Sequence, residues 1–347
     1  ASAVSLELDP ETSQRGGRMD EIGALMRLLT GARSTLVVNN GAAALLLALA
    51  AIAAGGEVIV SRGEAIEIGG GFRIPEVIEQ SGARLVEIGT TNRTYMADYA
   101  AATTDATAAY LAVHPSNFTM TGYVHRTAIA DLVRLGTEQN VPVVEDLGSG
   151  ALLDTGAFGL AHEPTITDSV EAGVTLVIAS GDKLVGGPQA GIICGDAEWV
   201  ERAARHPLAR AVRADKTCLA GVAATLRHYI RGEAGTTIPV WRMIAAPATA
   251  IRDRVERARS GLRESGITAT VADVRSSIGG GALPGQLMPS YALAVTGNVD
   301  DLGRRLRLGQ PAVFGRVERN RLLLDFRTVL PEDDDGLIEA VKRAWQG

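Results

Sequence analysis

Short apolar runs alternate with longer helix-like segments between about residue 34 and residue 195 of this 347-residue chain. The runs that predict β-strands are residues 57–61, 83–88, 108–114, 141–146, 175–180 and 191–194. Helices are predicted between them, including residues 42–54, 74–80 and 127–139. Strands separated by helices predict right-handed crossovers and a mostly parallel central sheet. Because the strands are apolar almost throughout, we expect helices on both faces of that sheet.

The pattern changes after about residue 232. A helix rich in Arg and Ala is predicted over about 250–264, strands over 292–295 and 321–326, and a last helix after the acidic run 332–335. We therefore expect a large domain of residues 1–232 followed by a smaller α+β C-terminal domain of residues 233–347. The N-terminal segment, about residues 1–20, is expected to pack on the small domain.

Composition excludes several classes of protein. A formal net charge of -6 argues against a surface built for nonspecific nucleic-acid binding. Cys194 and Cys218 follow no ligand or disulfide spacing and the five histidines are scattered, so we expect no metal site and a reducing cytoplasm. The apolar stretch 42–54 is too short to span a bilayer and predicts a buried helix, so we expect no membrane partner.

Lys183 is the first candidate for chemistry. It follows the apolar run 175–180 and is flanked by glycines, a setting that can hold its ammonium away from bulk water. Desolvation favours the neutral amine, which attacks an aldehyde, so Lys183 is a candidate to carry pyridoxal phosphate as a Schiff base. A solvated loop lysine is the alternative for this residue taken alone.

Asp146 ends another apolar run. A lone carboxylate there is costly unless it is paired, and a protonated pyridine nitrogen is a suitable partner that would make the cofactor a better electron sink. The alternative is a carboxylate that caps the next helix. The glycines after Asp146 do not form a G-x-G-x-x-G sequence, so a dinucleotide loop is a weak interpretation.

Two turns could hold a phosphate. Asn40, Gly41 and Ala42 lead into the helix of small residues, whose first N–H groups and dipole favour an anion. Ser180 could add its hydroxyl to this phosphate site, and Asp182 could orient an incoming group or a neighbouring arginine. An ordinary Asn-capped helix and a plain polar turn are the alternatives.

A basic cluster follows, and it comprises Arg202, Arg205, His206, Arg210, Arg213 and Lys216. Arg210 and Arg213 are spaced i,i+3, so on a helix they would share a face and could bind an oxyanion such as phosphate. A solvated helix face is the alternative. Taken together, phosphate site, aspartate and lysine occur in the order expected of fold-type-I pyridoxal-phosphate enzymes.

Seven segments of the chain resemble bacterial selenocysteine synthases, the L-seryl-tRNA(Sec) selenium transferase family. They are IVSRGE (59–64), EIGGGFRIP (67–75), VEIGTTNRT (86–94), VEDLGSG (144–150), SGDKLVGGPQAG (180–191), GGGALPG (279–285) and LLDFRT (323–328). The resemblance covers nearly the whole chain, and it implies a fold-type-I pyridoxal-phosphate-dependent transferase.

The resemblance implies conversion of seryl-tRNA(Sec) to selenocysteyl-tRNA(Sec). Lys183 would hold pyridoxal 5′-phosphate and then remove the Cα proton of the serine. Loss of the hydroxyl would leave an aminoacrylate, to which selenium from selenophosphate adds. Arg210 and Arg213 match family arginines that would hold the donor's phosphate, Asp182 would position them, and Arg327 would contact the acyl end of the substrate. The resemblance also implies a homo-oligomer built of dimers.

The chain departs from the family pattern at three places. Asn39-Asn40-Gly41 stands where the family usually has three asparagines, and the segment 116–119 reads Ser-Asn-Phe-Thr rather than Ser-Asn-Tyr-Arg. The family's N-terminal tRNA-binding domain, with a segment that carries another active-site arginine, has no counterpart before Ala1. This predicts either a fragment of a longer protein or a shorter relative with another substrate, and it leaves tRNA recognition by this chain an open question.

Two other functions stay open at this point. A related lyase would keep Lys183 and Asp146 but eliminate water or ammonia from a small amino acid or amino sugar. A noncatalytic tRNA-binding or assembly scaffold is the third hypothesis, and the complete set of lysine, aspartate and phosphate site argues against it.

Overall fold

The computed structural model describes Ser13 and residues 17–346. It divides into two compact units. The first unit runs to Ile238 and includes Gly279–Pro284, and the second comprises Pro239–Ile278 and the chain from Gly285 onward. The division therefore falls at Ile238 rather than at residue 232, and the assignment of Gly279–Pro284 to the first unit was not indicated by any pattern in the sequence. The expectation for residues 1–20 falls largely outside the described residues.

The described residues of the first unit contain nine strands. They are β1 (Ser34–Val38), β2 (Glu57–Ser61), β3 (Glu67–Ile68), β4 (Phe72–Arg73), β5 (Arg84–Ile88), β6 (Thr107–Val113), β7 (Val143–Gly148), β8 (Leu176–Ser180) and β9 (Gly191–Gly195). Seven of them form one sheet in the order β1-β9-β8-β7-β6-β2-β5. All neighbours pair in parallel except β9, which is antiparallel to both β1 and β8. The mostly parallel central sheet is confirmed.

The helices of the first unit cover both faces of this sheet. They are α1 (Asp20–Thr30), α2 (Gly41–Ala53), α3 (Ile74–Gln80), α4 (Met96–Ala102), α5 (Ile129–Gln139), α6 (Ile166–Glu171), α7 (Ala197–Arg205), α8 (Pro207–Ala211), α9 (Lys216–Ile230) and α10 (Ala234–Thr237). Ile178 of β8 packs in one apolar cluster with α2, and its neighbour Val177 packs in another with α1 and α9. Adjacent strand residues point to opposite faces, so burial on both faces explains the continuous apolar runs.

The second unit is a smaller α+β domain, as expected. Its strands are β10 (Ala269–Ser277), β11 (Leu287–Val295), β12 (Arg316–Glu318) and β13 (Arg321–Asp325), and its helices are α11 (Pro239–Ala245), α12 (Ala248–Arg263), α13 (Val299–Leu308) and α14 (Asp334–Gln346). The strands form an antiparallel sheet in the order β10-β11-β13-β12. Its core joins Leu293 and Leu324 of the sheet to Val255 and Val341 of the helices.

Short 3-10 helices complete the structure at Arg62–Glu64, Thr155–Phe158, Phe326–Thr328 and Pro331–Asp333. The apolar stretch predicted to be a buried helix is α2. Asn40 caps it, because its side chain accepts a hydrogen bond from the Ala43 N–H at 2.8 Å. Within the described part of the chain, none of the helices has the length and apolarity needed to cross a bilayer.

Candidate active site

Lys183 lies in the turn that follows β8, and its half-buried side chain passes two glycines. A Cβ atom at Gly281 would lie 2.7 Å from the Lys183 Cε, and one at Gly148 would lie 3.5 Å from Nζ. The turn is fixed by main-chain hydrogen bonds from Leu184 to Ser149 at 2.9 Å and from Gly181 to Ala190 at 2.8 Å. The lysine side chain therefore lies in space that the absence of a side chain at Gly281 leaves open, while a Cβ at Gly148 would be in ordinary contact with the amine.

Asp146 is a buried carboxyl group near Lys183, in the neighbouring strand β7. Its Oδ1 accepts a hydrogen bond from the Gly148 N–H at 3.0 Å. Burial raises the pKa of Asp146 to about 6, although the positive charge of Lys183 and the Gly148 N–H act to lower it. A second cation beside this carboxyl group would favour its ionised form.

The predicted phosphate site is formed where α2 begins beside the end of β8. Gly41 is in contact with Ser180, because a Cβ at Gly41 would lie 2.6 Å from the Ser180 Oγ. β9 crosses directly behind, where a Cβ at Gly191 would lie 2.0 Å from the Asn40 carbonyl oxygen. Because the first N–H groups of a helix have no partner within it, Gly41 and Ala42 present donors beside the Ser180 hydroxyl.

Three polar residues of the site were not predicted as members of it. The Ser116 Oγ is buried without a hydrogen-bond partner and would lie 3.1 Å from a Cβ at Gly148. The main-chain N–H of His114 donates to the Asp146 carbonyl oxygen at 2.8 Å, and its Nε2 lies 3.4 Å from Oε1 of the buried Glu163. The signal for His114 and Ser116 was their position directly after the apolar run of β6. Glu163 gave no such signal.

These residues fit pyridoxal phosphate. Lys183 offers an amine in a space bounded by glycines, Asp146 offers a buried carboxyl group on the adjacent strand, and the start of α2 offers an anion site. The hydroxyl of Ser116 beside Gly148 is a buried donor without a hydrogen-bond partner in the protein, and an oxygen of the cofactor ring would satisfy it. The arrangement can hold an aldehyde, a ring nitrogen and a phosphate at three separate places.

Arg210 and Arg213 do not share a helix face, so that prediction is wrong. Pro207 starts the short helix α8, which ends at Ala211, and Arg213 lies beyond it in a bridge to Val38. The two arginines nevertheless line one cavity of about 670 Å³, whose other basic residues are Arg18, Arg205 and His206. The Asn39 N–H donates to the Val212 carbonyl at 3.0 Å, so this cavity lies beside the phosphate site.

The remaining predicted residues are placed differently. Lys216 begins α9, and Arg202 of α7 lies over the Trp199 ring at 5.4 Å rather than in the cavity. Asp182 is exposed beside Lys183.

Arg327 is buried in the second unit. Its guanidinium donates to the carbonyl oxygens of Met243, Ala246 and Pro289 at 2.6, 3.0 and 2.7 Å. Burial lowers the pKa of Arg327. These bonds give it a structural role within that unit, and its contact with the substrate stays a prediction.

The sheet, the lysine and the buried aspartate define a fold-type-I pyridoxal-phosphate-dependent enzyme. The family model for L-seryl-tRNA selenium transferase matches residues 1–330. The chain belongs to this family, as its sequence motifs indicated, and pyridoxal phosphate as its cofactor is confirmed with it.

Curated relatives agree with this assignment. The chain is 45% identical to the L-seryl-tRNA(Sec) selenium transferase of Carboxydothermus hydrogenoformans, over 95% of this chain and 72% of that protein. It is 46% identical to the enzyme of the same name from Moorella thermoacetica, over 99% of this chain and 75% of the relative. The chain thus spans about three quarters of the length of these proteins.

Among solved structures, D-glucosaminate-6-phosphate ammonia-lyase is similar in fold. The TM-score is 0.64 with 20% sequence identity, and the match covers 98% of this chain and 92% of the lyase. At this identity the likeness supports the fold and not the substrate.

Proposed function

We propose that this chain converts seryl-tRNA(Sec) into selenocysteyl-tRNA(Sec), with pyridoxal phosphate as cofactor and selenophosphate as the selenium donor. Relatives named for the seryl-tRNA reaction align along nearly the whole chain. The observation that carries the proposal is the position of Lys183, between Gly148 and Gly281 and within the electrostatic influence of the buried Asp146.

The amine of Lys183 has two roles in this proposal. It would hold the aldehyde carbon of the cofactor, and after it is released by the substrate's amino group it would take the proton from the serine Cα. Bound pyridoxal phosphate supplies an electron sink that stabilises negative charge at that carbon. The lysine side chain packs directly against the main chain of Gly281, where no side chain competes for its place.

The carboxyl group of Asp146 would face the ring nitrogen of the cofactor. Its burial favours the neutral acid, but a protonated ring nitrogen beside it would favour the carboxylate. The ionised pair would keep the nitrogen protonated, which is the state that best accepts electrons. The N–H of Gly148 holds Oδ1 and thereby orients the carboxyl group.

Asn40, Gly41, Ala42 and Ser180 would bind the phosphate of the cofactor. The first N–H groups of α2 and the Ser180 hydroxyl converge on one place, and the positive end of the helix dipole favours an anion there. This site fixes one end of the cofactor while Lys183 holds its aldehyde carbon.

The cavity lined by Arg210 and Arg213, called the arginine cavity below, is the proposed site for the selenium donor. The hydrogen bond from the Asn39 N–H to the Val212 carbonyl, which joins the segment after α8 to the residue before Asn40, supports this proposal. Guanidinium groups bind phosphate oxygens through paired N–H donors. Asp182 is exposed beside Lys183. It is the residue proposed to orient Arg210 and Arg213.

Assembly as dimers joined into a larger homo-oligomer, and a contact between Arg327 and the acyl end of the substrate, also remain proposals. The assembly is tested by light scattering of the purified protein at several concentrations.

The direct test is turnover. The chain loaded with pyridoxal phosphate is mixed with radiolabelled seryl-tRNA(Sec) and selenophosphate, and the amino acid released from the tRNA is identified. We expect selenocysteine with the unaltered chain and serine with Lys183→Ala. Unchanged seryl-tRNA, together with release of water or ammonia from a free amino acid or amino sugar acid, would contradict the proposal and identify a lyase.

A further inference from the structure

Glu163 is a carboxylate with 2% exposure that the proposed reaction does not use. Burying a carboxylate is costly unless it accepts hydrogen bonds or faces a cation. Its Oε2 accepts a hydrogen bond from the main-chain N–H of Leu283 at 3.2 Å, and its Oε1 lies 3.4 Å from the His114 Nε2. Burial acts to raise the pKa of Glu163, but His114, the Ser149 hydroxyl and the Leu283 N–H together outweigh it and hold the pKa below its usual value.

The main chain around Glu163 is anchored on both sides. The Glu163 N–H donates to the hydroxyl of the buried Thr155 at 2.9 Å. The neighbouring His162 lies between the carboxylates of Asp154 and Asp168, at 3.1 and 3.0 Å. The Glu163 carboxylate is therefore presented from a fixed loop.

The partner of Glu163 belongs to the segment Gly279–Pro284. Leu283 has a φ of 48°, a left-handed conformation that is unfavourable for a leucine. Its side chain is nevertheless 4% exposed. A hydrogen bond from its N–H to a buried carboxylate stabilises this conformation.

The same segment covers the cofactor lysine. A Cβ at Gly281 would lie 2.7 Å from the Lys183 Cε, 2.8 Å from Cδ and 3.1 Å from Nζ. Gly281 is two residues from Leu283, so the position of the Leu283 main chain determines how closely Gly281 approaches the lysine.

We propose that Glu163 is a positioning residue that fixes Gly279–Pro284 over Lys183 through the Leu283 N–H, and that it also orients the His114 imidazole. The inference rests on the proposed role of Lys183 as the cofactor lysine. The fixed segment would exclude water from one side of the lysine and slow the loss of the cofactor. The main-chain N–H of His114 donates to the Asp146 carbonyl oxygen. The Glu163 carboxylate would therefore support both the segment over Lys183 and the residue bonded to Asp146.

The first test is hydrogen exchange of the cofactor-free protein, which does not depend on the role of Lys183. We expect the Leu283 amide to be protected, and Glu163→Ala to speed its exchange at least about tenfold, as expected for the loss of a buried hydrogen bond. Rapid exchange of Leu283 in the unaltered protein would overturn the proposal, and so would an unchanged rate in Glu163→Ala.

The second test uses the cofactor. Glu163→Ala should release pyridoxal phosphate about tenfold faster and weaken its visible circular dichroism. Glu163→Gln keeps an oxygen acceptor of the same length, so it should restore both to within about threefold of the unaltered protein. Equal losses in Glu163→Gln and Glu163→Ala would contradict positioning through the Leu283 N–H.

Gly280 and Gly281 provide a matched pair that keeps the proposal testable if Glu163→Ala fails to fold. A Cβ at Gly280 has no neighbour within 4 Å, whereas one at Gly281 meets the lysine. Gly281→Ala should weaken cofactor binding at least about tenfold and Gly280→Ala should leave it unchanged. Equal binding by both variants would show that the segment does not cover Lys183 and would overturn this inference. If Lys183→Ala nevertheless lost the cofactor, the proposed function would remain intact.

Discussion

Gly41 and Ser180 meet with no room for another atom between them: a Cβ at Gly41 would lie 2.6 Å from the Ser180 Oγ. Gly41 is the first residue of α2, and Ser180 is the last residue of β8. The contact brings two turns that are far apart in the sequence to one anion site. A change at either residue should therefore affect phosphate binding more than folding.

Gly41→Ala should weaken cofactor binding about tenfold while changing the free energy of unfolding by less than about 1 kcal/mol. The added methyl group forces the Ser180 hydroxyl to rotate away from the phosphate, and such a rotation costs the folded state little. Cofactor titration followed by absorbance measures the first quantity, and urea unfolding measures the second.

Ser180→Ala serves as the matched background. Once the hydroxyl oxygen is removed, the atom of residue 180 nearest to a Cβ at Gly41 is the Cβ of residue 180. The distance is 3.7 Å, which is an ordinary van der Waals contact. Gly41→Ala should then have a smaller effect on binding than in the native background. Additive effects of the two substitutions would contradict the contact.

Asp146 should make the cofactor-free protein less stable as the pH rises from about 4 to about 6. Its pKa is raised from 3.8 to about 6 in the folded protein, so the folded state retains a proton that the unfolded chain has released in this range. Each pKa unit corresponds to about 1.4 kcal/mol, so the loss amounts to about 3 kcal/mol. Urea unfolding across this range, compared with Asp146→Asn, isolates the contribution. Parallel profiles for the two proteins would contradict the buried position of this carboxyl group.

Arg210→Ala should raise the KM for selenophosphate at least about tenfold and leave the affinity for pyridoxal phosphate unchanged. Arg210 is exposed and lines the arginine cavity, so its loss removes an anion contact without disturbing the core. Arg202→Ala is the control, because Arg202 lies over Trp199 on α7 instead. A comparable effect of both substitutions would mean that the overall positive charge matters rather than this cavity.

Arg327→Ala should lower the free energy of unfolding by about 3 kcal/mol. Three main-chain carbonyl oxygens would lose their half-buried hydrogen bonds to the guanidinium, at about 1 kcal/mol for each bond. Arg252→Ala is a suitable control, since that arginine is exposed on α12. If stability were unchanged and only substrate binding were lost, Arg327 would be a substrate contact and not a structural residue.

Much of the fold could be predicted because local patterns were strong. β2 and α3 begin and end where expected, since each apolar run is bounded by turn-forming residues. β10 was missed because its exposed residues Asp273 and Arg275 alternate with buried ones and Ser276 is among the buried residues. β1 was also missed.

The site was only partly predictable, and for physical reasons. Lys183 and Asp146 follow or end buried strands, which the hydrophobic pattern indicates. Glu163 depends on partners from the end of β6 and from Gly279–Pro284, and no local spacing predicts that contact. The shared helix face of Arg210 and Arg213 failed because Pro207 starts a separate helix that ends too early.

Reduction with borohydride tests the central claim most directly, because it fixes pyridoxal phosphate to the amine that holds it. The chain has three lysines, Lys183, Lys216 and Lys342, and they fall in different tryptic peptides. Mass spectrometry of the reduced, digested protein should find the cofactor on Lys183 alone. Cofactor on Lys216 or Lys342 instead, or no adduct in protein saturated with the cofactor, would contradict the account.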